Sequence, residues 1–448
     1  MNLDYIMKLS KKAEVNNIIK PSLYSKYSVK RGLRNENGTG VLVGLTEIGG
    51  VKGYMVDEGE KIPILGTLHY RGIDINSLVD GFVNEDRFGF EESIYLLTFG
   101  ELPNNTELLN FKKLLGENRA LPDSFLEDMI LKAPSKDIMN KLARSILVLY
   151  SYDSNPDETS IVNVLRQSIE IIAKFPSLMA YAFQAKAYHF MDKSLVIHAP
   201  DKNLSTAENI LKMSRASGKY TKSEAKLLDL VLVLHAEHGG GNNSAFTSHV
   251  VTSSGTDIYS SVSAAIGSLK GPRHGGANIR ANNMMKEFKA NIKDYTDEKE
   301  IETYIEKILK KEAFDRTGLV YGIGHAVYTL SDPRAQLLKQ KAKELAKEKN
   351  MLKEFDLYER VERLTPKVFK KVKNSDKPLC ANVDFYSGFV YNMLGIEEDL
   401  FTPIFATARV AGWCAHIIEE IINGGRIIRP AYKNVISNAE YIPLNIRK

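Results

Sequence analysis

Cysteine is scarce: only Cys380 and Cys414 occur in 448 residues. Two thiols cannot make a disulfide framework, and both are expected to be reduced and partly buried in a cytoplasmic protein. Cys380 stands four residues before Asp384, so a catalytic thiol there stays open. Long apolar runs are missing too. No stretch approaches the ~18 residues of a membrane span, and the N-terminus has no hydrophobic signal core, so neither membrane insertion nor export is expected. An excess of one charge is also absent. Sixty Lys and Arg against 55 Asp and Glu leave a net charge of +5, which makes no case for nucleic acid as a partner. There is no repeat of fixed period, no low-complexity tract, and no Walker or dinucleotide fingerprint. What is present is a chain with 44% hydrophobic residues, long enough to bury a large core in two or three domains.

The apolar pattern is overwhelmingly helical. Ile258, Val262, Ala265, Ile266 and Leu269 recur at helical spacing, so one face of a helix should lead into the glycines that follow and aim His274 from its end. Asn155-Pro156-Asp157 reads as a helix start, with the helix running to a stop at Pro176. Leu338, Ala342, Leu345 and Ala346 line one face of a Lys/Glu-rich helix whose charges are a solvated surface. Strand-like alternation is confined mainly to residues 41–65, where Gly49-Gly50 suggests a hairpin turn.

Three glycine-flanked islands each carry one proton-handling side chain: His274 in GPRHGGAN, His325 in YGIGHAVY and Asp384 in NVDFYSG. Glycines on either side let the backbone approach a ligand closely. Two imidazoles and one carboxylate suit chemistry at a carbon acid. A fourth segment, LHAEHGGGNNSAFTSHV at 234–250, breaks into glycines after His235 and His238. Guanidinium groups follow at Arg334, in DPR, and at Arg409 and Arg429.

In order along the chain, TEIGGVKGY, YRGIDI, LHAEH, GPRHGGAN, GHAVY with DPR, NVDFYSG, ARVAGW and IIRP together resemble citrate synthase, over roughly residues 40–432. The resemblance implies an all-α fold of two domains with a short N-terminal β-hairpin. The large domain would comprise residues 1–278 and 386–448, and the small one, residues 279–385, would close over the substrates. It implies condensation of acetyl-CoA with oxaloacetate, then hydrolysis of citryl-CoA, with coenzyme A as part of a substrate and no metal or other cofactor. Asp384 would take the α-proton, His274 would donate to the enolate oxygen, and His325 would polarise the carbonyl of the 2-oxo acid. His238, Arg334, Arg409 and Arg429 would bind carboxylates, planar guanidinium forks being suited to that task. Leu319, Val320, Tyr321, Gly322, Ile323 and Gly324 would grip coenzyme A through backbone groups. The arginine of the RP motif reaches the neighbouring subunit's site in this family, so Arg429 implies at least a homodimer.

Departures from the family pattern leave some contacts open. Some members carry an arginine four residues after the histidine of GHAV, where this chain has Thr329; Arg273 is a candidate substitute for phosphate contact. The run HAEHGGGNN is richer in glycine and asparagine than in many relatives, which either reshapes the oxaloacetate pocket or is a tolerated turn. The alternatives are a 2-methylcitrate synthase using propionyl-CoA, a metal-dependent hydrolase built on His235, Glu237, His238 and His274, and a non-catalytic acyl-CoA-binding protein.

Overall fold

The computed structural model describes residues 3–58 and 60–447. The chain is mostly helical with one small antiparallel sheet, and it divides into two compact units, Met1–Leu78 with Arg280–Phe389 and Val79–Ile279 with Val390–Lys448. No helix among the described residues is long and apolar enough to cross a membrane.

The second of these units is organised around the helix Phe401–Ile422. From Phe401 to Ile418 every residue except Phe405 is buried, the mark of a helix surrounded by others. It packs against Ile161–Phe190, Asn243–Thr252, Ile258–Lys270 and Lys222–His235. A capping box between Thr221 and Glu224 starts Lys222–His235, and Asp257 caps Ile258–Lys270. The apolar stripe of Ile258–Lys270 is buried as its spacing predicts: Ile258 is 3% exposed and the other four positions 0%.

Two local expectations fail. The helix expected to begin at Asn155-Pro156-Asp157 starts instead at Ile161, where Ser160 accepts a hydrogen bond from the Asn163 N–H, and it continues to Phe190 through Pro176. A proline inside a helix costs ~3 kcal/mol. Here every residue from Ile171 to Ala185 is buried, and that packing outweighs the loss. The hairpin turn is not at Gly49-Gly50 either. Those glycines open strand β1 (Gly49–Asp57), and the chain reverses beyond Asp57 to pair with β2 (Glu60–Tyr70), which pairs in turn with β3 (Ile73–Asp74). Glu58, at a φ of 47°, takes the turn's left-handed conformation.

In the first unit, Pro333–Glu348 packs its buried Leu338, Ala342, Leu345 and Ala346 inward. Its lysines are less idle than expected: Lys339 pairs with Glu359 and Glu362, and Lys343 with Glu359, across to the helix Leu352–Lys373. Both cysteines are buried and free, and burial pushes each thiol up to about 12. Neither supplies a thiolate near neutral pH, which argues against a nucleophile at Cys380.

Candidate active site

The first unit holds His325, Arg334, Asp384 and the segment 319–324, and one carboxylate ties Arg334 to the helix that carries Asp384. Asp332 caps Pro333–Glu348 by accepting from the Arg334 N–H, at 3.0 Å. The same carboxylate takes Nε and Nη2 of Arg334, at 3.0 and 2.8 Å, and the Val383 N–H at 3.2 Å. One buried acid thus fixes the guanidinium and the start of the helix Val383–Met393, whose first turn carries Asp384. The Arg334 side chain is 4% exposed, and its fork lies on Asp332, two of its five N–H groups being engaged there.

His325 is held in one tautomer. Its Nδ1 accepts the N–H groups of Val327 and Tyr328, both at 3.0 Å, so the proton of the neutral ring sits on Nε2. Burial lowers its pKa to about 4, with Arg334 adding to the effect and Asp332 opposing it. The segment that precedes it pairs with the one that precedes Asp384: Gly324 N–H donates to the Cys380 carbonyl at 2.7 Å, and Asn382 donates from its backbone to Gly322 and from its side chain to Gly324. Gly322, at φ 80°, lies so close to Phe385 that a Cβ there would stand 2.8 Å from that side chain.

The sheet buttresses this loop. A Cβ at Gly66 would run into the Ser331 carbonyl, while the Gly66 N–H donates to Ser331 Oγ at 3.0 Å and the Tyr328 hydroxyl reaches the Thr67 carbonyl at 3.3 Å. Nothing in the local pattern of residues 41–70 announces that role, because every partner lies some 260 residues away.

In the second unit the face Arg409, Gly412, Trp413 and His416, at i, i+3, i+4 and i+7, organises the remaining candidates. Arg409, 1% exposed, donates from Nε to the His235 carbonyl at 2.6 Å. Trp413 Nε1 donates to Ser244 Oγ at 3.1 Å, and that hydroxyl lies 3.1 Å from His274 Nε2. With one lone pair taken by Trp413, Ser244 gives its single proton either to Asn242 Oδ1, 2.9 Å away, or to His274. Donation to His274 leaves the imidazole's proton on Nδ1. Burial lowers the His274 pKa to about 4, and the Arg409 cation pushes the same way. His274 follows Ile258–Lys270 as expected, just before the helix Ala277–Asn291.

His238 is half-buried in the turn after Lys222–His235. The glycine and asparagine run that follows ends in a helix cap, Asn242, at the start of Asn243–Thr252, so part of that departure is local turn chemistry. Arg429 is exposed on the extended segment after residue 424, anchored by the Ile428 N–H on Ser253 Oγ at 3.0 Å; Arg273 is exposed as well. His235 packs its ring against Phe405, 4.4 Å between centroids. Among the described residues His235, Glu237, His238 and His274 form no converging metal-ligand set.

Reasoning from sequence missed Asp332 as the hub, Ser244 as the partner of His274, and the polar face of Phe401–Ile422. The only local signal was a buried-looking helix with a cation and an imidazole seven residues apart.

The family described as citrate synthase, C-terminal domain, matches residues 37–431. The chain is 36% identical to citrate synthase 2 of Bacillus subtilis (strain 168), over 86% of this chain and 95% of that protein. It is 32% identical to 2-methylcitrate synthase 2 of Corynebacterium glutamicum, covering 82% of this chain and 88% of that one. The crystal structure of citrate synthase from Thermotoga maritima MSB8 superposes with a TM-score of 0.72 at 29% identity, covering 94% of this chain and 99% of that one.

Proposed function

The chain belongs to the citrate synthase family and is a transferase, and from that premise we propose how its residues divide the reaction. It condenses acetyl-CoA with oxaloacetate and hydrolyses the resulting citryl-CoA to citrate and free CoA. The observation that carries the reading is that His325 accepts two backbone N–H groups at Nδ1 and His274 lies 3.1 Å from Ser244 Oγ, both rings buried in surroundings that lower their pKa values to about 4. A neutral imidazole keeps one N–H with which to donate a hydrogen bond to a developing oxyanion.

Asp384 removes a proton from the acyl methyl group. His274, through the Nδ1–H that a donating Ser244 leaves in place, stabilises the enolate oxygen. His325, through Nε2–H, polarises the oxaloacetate carbonyl and protonates the new alkoxide. Arg334, Arg409 and His238 bind carboxylates, and the backbone of Leu319, Val320, Tyr321, Gly322, Ile323 and Gly324 grips coenzyme A. The chemistry requires no metal. In this reading residues 279–385 close over the rest, so that both sets of groups serve one pair of substrates with water excluded. A fall in the radius of gyration on adding both ligands, followed by X-ray scattering, checks that step.

The protein is proposed to act in the cytoplasm, supplying citrate to the tricarboxylic acid cycle, as at least a homodimer in which Arg429 serves the partner's site. Co-refolding Asp384→Asn chains with Arg429→Ala chains tests the sharing. Mixed dimers should regain activity, because one site then carries both lesions and the other neither; no recovery removes Arg429 from a shared site.

Similarity to a 2-methylcitrate synthase keeps propionyl-CoA as the second reading, and one methylene is worth only ~1–3 kcal/mol of discrimination. The deciding experiment is release of CoA thiol from acetyl-CoA and from propionyl-CoA with oxaloacetate, without added metal, compared as kcat/KM. Acetyl-CoA should be preferred. A preference for propionyl-CoA installs the second reading, and no release from either overturns both.

A further inference from the structure

A second polar cluster lies on the Phe401–Ile422 helix that the proposed chemistry does not use. His416 is fully buried, with Nε2 3.1 Å from Glu237 Oε1 and Nδ1 3.2 Å from His249 Nε2. Glu419 Oε2 stands 3.7 Å from the same Nδ1, and His249 Nδ1 is 2.9 Å from Glu420 Oε2. Glu237, also fully buried, accepts the Gly239 N–H.

These contacts converge on five residues. The His235 carbonyl is held by Arg409, the Glu237 carboxylate by His416, and the Gly239 N–H by Glu237. Between the first and second contacts, a Cβ at Gly412 would collide with the Ala236 carbonyl and stand 2.5 Å from Glu237 Oε2, so this stretch lies directly against the helix. Every fixed point in residues 235–239 surrounds His238.

We propose that His416 is a positioning residue: by holding the Glu237 carboxylate it fixes the turn that presents His238 to the 2-oxo acid, without itself touching a substrate. The inference rests on the reading that His238 binds oxaloacetate. Electrostatics agree with the geometry. Burial alone would lower the His416 pKa, but the Glu237 carboxylate, with Glu419 adding to it, raises it to about 9. Burial would likewise raise Glu237, yet His416 and then Arg409 bring it below the usual carboxylate value. The pair is therefore charged near neutral pH, and removing one member strands the other in a dry site.

The test compares His416→Leu, His416→Gln and Glu237→Gln with His238→Ala in steady-state kinetics, with folding followed by circular dichroism. For His416→Leu, KM for oxaloacetate should rise on the order of 10–100-fold, with kcat and the KM for acetyl-CoA nearly unchanged. His416→Gln, which keeps a donor toward Glu237, should recover part of that loss. If His416→Leu does not fold, Glu237→Gln carries the same expectation. A fall in kcat with both KM values moving together means a merely structural role and overturns the proposal. So does retained, stoichiometric zinc in the purified protein whose removal copies the His416 variants, since His249, His416 and Glu419 have ligand atoms within 4.8 Å of one another. If His238→Ala leaves oxaloacetate binding untouched, the underlying reading of His238 fails; if it weakens binding and the His416 variants do not, only the present inference fails.

Discussion

His274 and His416 belong to the same compact unit and both sit within reach of the Phe401–Ile422 helix, yet they end in opposite protonation states. One imidazole has its pKa lowered to about 4 and the other has it raised to about 9. Burial pushes both toward neutrality, because a low-dielectric surrounding disfavours the cation. A charged neighbour decides the rest. His274 has the Arg409 cation, which drives its pKa further down, while His416 has the buried Glu237 carboxylate 3.1 Å away. The same helix thus borders one histidine kept neutral and locks the other into an ion pair. In the proposed reading, function and framework differ by which charged neighbour a buried ring is given.

In the proposed division of roles proton abstraction falls to Asp384, so the largest effect is expected there. Asp384→Asn should lower turnover by roughly 10²–10⁴-fold while calorimetry still detects oxaloacetate binding. Unchanged exchange of the acetyl-CoA methyl protons in that variant would return the base role to an imidazole and break the comparison. A smaller effect is expected at Arg334. Arg334→Ala should weaken oxaloacetate binding by about 1.5–3 kcal/mol, the range for a charged hydrogen-bonding group, with Asp332→Asn loosening the same guanidinium. Binding unaltered in both would confine Arg334 to its pair with Asp332.

The smallest effects are on stability, and they should run in opposite directions with pH. Folded His274 and His325 bind fewer protons than the unfolded chain between about 4 and the usual 6.5. Their contribution is therefore present above 6.5 and lost as pH falls through 4. Folded His416 binds more protons than the unfolded chain between 6.5 and about 9, so its contribution is complete below 6.5 and lost as pH climbs through 9. Calorimetric Tm values across this range should show a flatter acidic limb for His274→Asn and a flatter alkaline limb for His416→Gln. The reverse assignment would invert the comparison.

The candidate residues stood out in the sequence because glycine-flanked His274, His325 and Asp384 are conspicuous side chains in short, local patterns. Apolar periodicity carried the helical character, and the family resemblance carried the fold and the activity. What set the chemistry of those residues was not legible. Ser244 lies 30 residues from His274 and 169 from Trp413, and Glu237 lies 179 residues from His416. Such partners meet only through packing, which no local spacing encodes. The misread stop at Pro176 and the misplaced hairpin turn have the same origin. Local propensity favoured a break at proline and at paired glycines, whereas burial along Ile161–Phe190 and the register of β1 on β2 decided otherwise.

The most direct test is the protonation of these rings in the intact protein. Histidine side chains labelled with nitrogen-15, assigned through His274→Asn, His325→Asn and His416→Gln, can be followed by NMR as pH is varied. Near pH 7, His274 and His325 should give the signals of neutral imidazoles that titrate only near about 4, and His416 those of an imidazolium that persists to about 9. Three rings titrating together near the usual 6.5, or a neutral His416 beside a charged His274, would contradict the assignment of donor and strut.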